Sequence, residues 1–225
     1  MLIDDNSLDL VFKGFKTLYT DAYLAAPVHS DKIAMTVPSS GRDETYGWLG
    51  QFPQLREWIG SRHVHKLKAQ SFKIVNRQFE STISVSKNDI SDDRIGIFKP
   101  MFSEMGHLAR NHPEELVFGL LANGFASPCY DGQNFFDEDH PQTRAGADVT
   151  VSNMQSGSDP AWYLLDTSRG VKPLIWQERE KYDFQAMTSP TEGHVFMNDE
   201  YIYGVRARVN AGFGLWQLAY GSKEP

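Results

Sequence analysis

One stretch constrains this chain more than any other: residues 96–124, in which Met101, Phe102, Met105, Leu108, Ala109, Leu116, Leu120 and Leu121 recur at spacings of three and four. That period belongs to a helix with one buried face, and it predicts a long helix over about residues 96–123. Phe102, Met105, Leu108, Leu116 and Leu120 are then its core side chains. Asp92 and Asp93 stand just upstream, where negative charge suits a helix N-terminus, and Asn123-Gly124 supplies a left-handed stop. Pro113 either opens a second helix or kinks one long one; we read a single helical unit, kinked or stepped there.

At 225 residues the chain can bury a real core, as one large domain or one with a satellite. The formal net charge of -7 argues against duplex nucleic acid as the main ligand, because binding phosphates needs a basic surface. No apolar run approaches the roughly 20 residues that span a bilayer, and the first residues lack the basic start and apolar core of a signal peptide. A single cysteine, Cys129, excludes an intrachain disulfide framework and suits a reducing cytoplasm.

Before the helix, Leu8, Val11, Phe12, Phe15, Leu18, Tyr19, Tyr23 and Leu24 have helical spacing. This segment is either a helix on its own core or an arm that docks on a neighbour, because a loose stretch rich in turn residues follows it. Residues 42–60 crowd Tyr46, Trp48, Phe52 and Trp58 among glycines and a proline, a density that suits burial in the chain's own core or in an interface. Residues 62–87 alternate, as strands do, and together would form a two-stranded ribbon. A lone ribbon is marginal in water, which hints that another copy of the chain supports it. Residues 88–95 read as a charged turn capping the helix rather than a cation loop. Beyond the helix, Asp131-Gly132 is a tight-turn signal and Phe135-Phe136 a buried anchor. Residues 143–160 read as a surface loop, and 161–221 as antiparallel strands, Val195-Phe-Met among them. There Val205, Ala207 and Val209 alternate with Arg206, Arg208 and Asn210.

The search for chemistry comes back nearly empty. No phosphate-binding glycine loop is present. Asp137, Asp139 and His140 form the best metal-like group in sequence, with a solvated acidic turn as the plainer reading; His63 and His65 would share a strand face without a third ligand. Cys129 has no histidine close in sequence and reads as a small core or turn residue. His107 and His112 are five residues apart and form no i,i+4 pair.

Particular strings do carry a resemblance. Lys32-Ile-Ala-Met, Thr45-Tyr-Gly-Trp-Leu-Gly-Gln-Phe-Pro, Arg56-Glu-Trp-Ile-Gly, Phe79-Glu-Ser-Thr-Ile and Gly96-Ile-Phe-Lys-Pro run in order along the chain. The most specific is Pro128-Cys-Tyr-Asp-Gly-Gln-Asn-Phe-Phe-Asp-Glu-Asp-His-Pro141, followed by Tyr163-Leu-Leu-Asp-Thr-Ser-Arg and Gly214-Leu-Trp-Gln-Leu-Ala. Together, spread over residues 32–219, they resemble the Mu-like phage major head subunit (gpT) family, whose fold is the tailed-phage, Hong Kong 97-like capsid fold.

The resemblance implies an α+β chain with an N-terminal arm and aromatic segment (1–61), an extended β-ribbon loop (62–90) and a peripheral domain (91–225) with its spine helix and antiparallel sheet. It implies a major capsid subunit that self-assembles into an icosahedral, DNA-containing shell, without catalysis and without cofactor. Phe12, Phe15, Tyr46, Trp48, Phe52, Trp58, Phe72, Ile74 and Phe79 are the expected inter-subunit contacts. Expected partners are further copies, scaffold, portal and decoration proteins, and packaged double-stranded DNA non-specifically, with no membrane; the expected location is the virion, after assembly in the host cytoplasm. Family members look longer at the C-terminus, so the axial domain is expected to be incomplete and this chain alone is expected not to close shells. Competing readings are an encapsulin-like compartment shell and a metal-dependent hydrolase using Asp137, Asp139 and His140.

Overall fold

In the computed structural model, which describes residues 4–49, 72–144, 147–189 and 191–223, the chain opens with helix α1 (Asp5–Ala25). The start is set locally: the Asp4 carboxylate accepts from the Ser7 amide at 2.7 Å while the Ser7 hydroxyl accepts from the Asp4 amide at 3.0 Å. This reciprocal box satisfies two donors that a helix start would otherwise leave bare. There follow α2 (Ser30–Ile33), β1 (Ala34–Pro38), β2 (Asp43–Thr45), β3 (Lys73–Val75), β4 (Arg77–Ser86) and α3 (Lys87–Ser91). Next come α4 (Lys99–Ala122), β5 (His140–Arg144), β6 (Ala147–Val151), β7 (Met154–Ser156) and β8 (Trp162–Leu165). The described chain closes with β9 (Leu174–Met187), α5 (Gly193–Asn198), β10 (Glu200–Phe213) and β11 (Ala219–Lys223). The strands form sheets in the orders β1-β9-β10-β4 and β7-β11-β8, with the pairs β2-β3 and β5-β6.

The chain divides into two units. Unit 1 is Met1–Val28, Arg77–Glu115 and Glu178–Val209. In it β4 and β10 run antiparallel, with Tyr201 opposite Val85, Tyr203 opposite Ile83 and Val205 opposite Ser81. The core joins this sheet face and Phe184 to Leu8, Val11, Phe15 and Tyr19 of α1 and to Phe102, Met105 and Ala109 of α4. Phe15 stacks on Phe102 with centroids 3.9 Å apart, and both meet Tyr203 edge-on at 5.1 and 5.5 Å. Such pairs contribute about 0.5–1.5 kcal/mol each beyond the area they bury. The two helices approach this closely because Gly106 has no side chain: a Cβ there would lie 2.2 Å from the Tyr19 carbonyl oxygen.

Unit 2 is His29–Asn76, Leu116–Gln177 and Asn210–Pro225. Here β2 pairs antiparallel with β3, and the ladder is extended by bonds from the Tyr46 amide to the Phe72 carbonyl and from the Asn76 amide to the Arg42 carbonyl. Gln177, fully buried, gathers this region: its amide donates to the Ile74 carbonyl at 3.2 Å and to Asn76 Oδ1 at 2.7 Å, while its oxygen accepts from the Tyr46 hydroxyl at 2.9 Å. A second layer stacks Phe135 on Phe213 at 4.5 Å and Phe125 on Phe136 at 4.7 Å.

Several expectations need correction. The long helix is continuous through Pro113, but it begins at Lys99; Asp92 and Asp93 follow α3 instead, and a short 3₁₀ turn, Ile95–Phe98, leads into α4. Asn123-Gly124 lies in another 3₁₀ turn rather than a left-handed stop, and Gly124 is small because the ring of Phe136 presses on it. Val195-Phe-Met lies in helix α5, and the expected loop at 143–160 contains β6, β7 and the end of β5. Residues 73–86 find strand partners in their own chain, β3 with β2 and β4 with β10, so the argument that a second copy must support them fails. Residues 50–71, including Phe52, Trp58, His63 and His65, lie outside the described residues.

Candidate assembly surface and the loop at 128–141

The side chains expected at subunit contacts fall into two groups. Phe15, Tyr46 and Ile74 are 1%, 3% and 4% exposed and pack inside their own units. Phe12 is half-buried against Phe184, Phe72 is half-buried, Phe79 packs on His112 at 4.2 Å, and Trp48 keeps 39% of its surface. These four retain surface to offer. On α4, Phe102 and Met105 are buried, Leu116 and Leu120 are half-buried, and Leu108 is exposed. The buried stripe runs instead through Phe102, Met105, Ala109, Val117 and Leu121.

Leu108 belongs to a second stripe that the periodicity reading merged with the first. Ile97, Met101 and Leu108 are 56%, 47% and 51% exposed. Met101 and Leu108, with Pro100, Glu104 and Met105, line a shallow groove of about 370 Å³, whose other wall is Ser81 and Ile83 of β4. A helix with one stripe in the core and another facing outward along a groove has more apolar surface than its own unit covers. Unit 1 also exposes Phe196 and Met197 on α5, at 78% and 77%. Elsewhere the unit presents charge: Arg206 and Arg208 on β10 both bond to Glu180.

In unit 2 the loop most specific to this sequence, 128–141, closes on itself. Gly132 sits at φ +90°, the left-handed region that favours glycine, and its amide bonds back to the Cys129 carbonyl at 3.2 Å. That turn brings Cys129 and Asp131 together, with Sγ donating to Asp131 Oδ1 at 3.1 Å. Asp131 Oδ2 lies 2.7 Å from His140 Nδ1, and the imidazole stacks on Trp216 with centroids 3.9 Å apart. Burial pulls the Asp131 carboxyl up, but the bonds from His140 and Cys129 outweigh it and hold it below the ordinary value. Burial pushes the Cys129 thiol well up. The candidate grouping of Asp137 and Asp139 with His140, for which a solvated acidic turn is the plainer reading, does not form: Asp137 spends its carboxylate on the amides of Asn134, Glu138 and Asp139. No spacing rule would have linked Cys129 and Asp131 to His140; the turn at Gly132 does. His107 is exposed, and His112 bonds to the Tyr182 hydroxyl.

A long helix over antiparallel strands, with apolar surface left outside, describes a subunit that works by contact. The solved structures agree. A chain of the bacteriophage JBD30 procapsid matches with a TM-score of 0.84 at 50% identity, over 99% of this chain and 77% of that one. A chain of the JBD30 capsid matches with a TM-score of 0.74 at 34% identity, over 90% and 67%. A virus-like particle from Pyrococcus furiosus, with a TM-score of 0.52 at 8% identity over 94% and 98%, shares the fold alone. The class is that of phage capsid proteins with the Hong Kong 97-like fold.

Sequence narrows it. The model of the Mu-like prophage major head subunit gpT family matches residues 8–225. The major capsid protein of Escherichia phage Mu is 44% identical over 230 residues, 99% of this chain and 75% of that protein. The Mu-like prophage FluMu major head subunit of Haemophilus influenzae is 40% identical over 224 residues, 95% and 72%. The chain belongs to the Mu-like major head subunit (gpT) family, the major capsid proteins of Mu-like phages.

Proposed function

We propose that this chain is a subunit of an icosahedral shell around double-stranded DNA, that it associates with copies of itself, and that the outward stripe of α4 with the β4 groove is one of its contact surfaces. The supporting observation is that Ile97, Met101 and Leu108 stay exposed although each is large and apolar. Repeated by symmetry, modest contacts of this kind build a stable container while leaving each one reversible during assembly. Phe12, Trp48, Phe72 and Phe79, which keep surface in their own units, and Phe52 and Trp58 belong to further contacts.

The reading needs no catalysis; the subunit acts by holding its place. Scaffold and portal proteins are partners during assembly in the host cytoplasm, and decoration proteins afterwards; one solved JBD30 capsid is decorated with minor capsid protein trimers. A net charge of -7 lets packaged DNA slide past the wall instead of sticking. Sedimentation velocity over a concentration series tests the surface. Wild-type protein is expected to form higher oligomers, and the double substitution Met101→Glu with Leu108→Glu to leave a folded monomer. Oligomers that persist unchanged in the double variant contradict the proposed surface.

A further inference from the structure

The shell-forming role leaves one cluster in unit 2 unused. Cys129 Sγ, an Asp131 carboxylate oxygen and a ring nitrogen of His140 all lie within 4.8 Å of one another. The side chains of His140 and Asp131 are 0% and 4% exposed, and Cys129 is 6% exposed. A thiol, a carboxylate and an imidazole are the three side-chain types that bind zinc.

Asn153 fixes how the imidazole is presented. Its Nδ2 donates to the carbonyls of Phe135 at 2.8 Å and Trp216 at 3.3 Å, so the atom 3.2 Å from His140 Nε2 is its oxygen. Nε2 therefore carries a hydrogen. In metal sites a histidine holds its outer N–H on an oxygen in this way and turns its other nitrogen toward the metal. Here that nitrogen, Nδ1, faces an Asp131 oxygen at 2.7 Å, and two acceptors cannot meet there without a positive charge between them. A proton would serve the imidazole and the carboxylate and leave the thiol only its weak bond to Asp131 Oδ1. A divalent cation uses all three donors, and its charge balances one thiolate, one carboxylate and a neutral imidazole.

We propose that Cys129, Asp131 and His140 bind one thiophilic divalent cation of the zinc class, as a structural clasp for the loop at 128–141. Binding forms bonds from the metal to sulfur, oxygen and nitrogen, and releases two protons to solvent: the thiol proton and the one shared between Nδ1 and Asp131. Sulfur and nitrogen donors exclude magnesium and calcium, which take oxygen ligands. Zinc bonds of about 2.0–2.3 Å require the donors to open by a few tenths of an ångström from their hydrogen-bonded spacing. The Trp216 ring lies flat on the imidazole, 8° from parallel, and holds its plane, while three protein donors leave a fourth position for water.

Titration of the metal-stripped, reduced chain with Co²⁺ and then Zn²⁺ tests this. Expected are one Co²⁺ per chain with a sulfur-to-cobalt charge-transfer band, displacement by Zn²⁺, two protons released and a raised thermal midpoint. Cys129→Ala, a small buried residue for another, should keep the wild-type circular dichroism and lose the band, while Asn153→Ala should weaken binding roughly 10–100-fold. Wild-type protein that is folded yet takes up no Co²⁺ overturns the proposal and leaves a proton as the bridge. Equal binding by Cys129→Ala overturns it as well.

Discussion

The two units hold their interiors together by different means. Unit 1 relies on stacked rings: Phe15, Phe102, Phe184 and Tyr203 share one cluster, and the hydroxyls of Tyr19, Tyr201 and Tyr203 find no partner among the described residues. Unit 2 has ring stacks of its own but adds directed polar bonds: Gln177 joins three chain segments, and Asn153 with His140 and Asp131 ties the 128–141 loop to Trp216. Ring packing is non-directional and tolerates small slides, whereas a buried hydrogen-bond network has one good geometry. A shell subunit has use for both, a body that can adjust to its neighbours and a loop that cannot drift.

Substitutions can break or sharpen this contrast. The largest effect is expected for Phe102→Ala, which empties the centre of the unit 1 stack and should cost about 3–5 kcal/mol in chemical denaturation. Gln177→Leu keeps volume but strands the Tyr46 hydroxyl and the Ile74 carbonyl; about 1–3 kcal/mol is expected. A double-mutant cycle on Phe15 and Phe102 should return a coupling of about 0.5–1.5 kcal/mol, and a value near zero would mean the stack contributes by area alone. Unit 2 should carry the acid sensitivity of one buried carboxyl. The Asp131 carboxyl is held below its ordinary value, so its contribution is complete above the unfolded-state pKa of about 3.9 and is lost as pH falls through the folded value. Asp131→Asn should therefore flatten the acid limb of a stability–pH curve below about pH 4. Smallest of all, Leu108→Ser should change subunit stability by no more than about 0.5 kcal/mol, because the side chain is half exposed.

Much of unit 1 was legible in the sequence because α4 carries its period over 24 residues and the β10 alternation of Val205, Ala207 and Val209 is clean. The phase of α4 was not, because two apolar stripes adjoin: Leu108 and Ala109 fit the same template, and only the close approach of α1 at Gly106 decides which one is buried. The partner of β4 lies more than a hundred residues away in β10, and local alternation cannot name it. The aromatic density at 42–60 left its destination open; Tyr46 turns inward and bonds to Gln177. At 128–141 the turn at Asp131-Gly132 and the anchor Phe135-Phe136 were readable, but spacing offers His140 only Asp137 and Asp139, its neighbours in sequence, whereas Cys129 and Asp131 are its neighbours in space.

Hydrogen–deuterium exchange on assembled against dissociated protein tests the central claim, that the outer face of α4 with β4 is where this subunit meets its copies. The account predicts protection gained at 97–108 and 81–83 on assembly, with the 128–141 loop equally protected in both states. Exchange at 97–108 that is the same before and after assembly would contradict it.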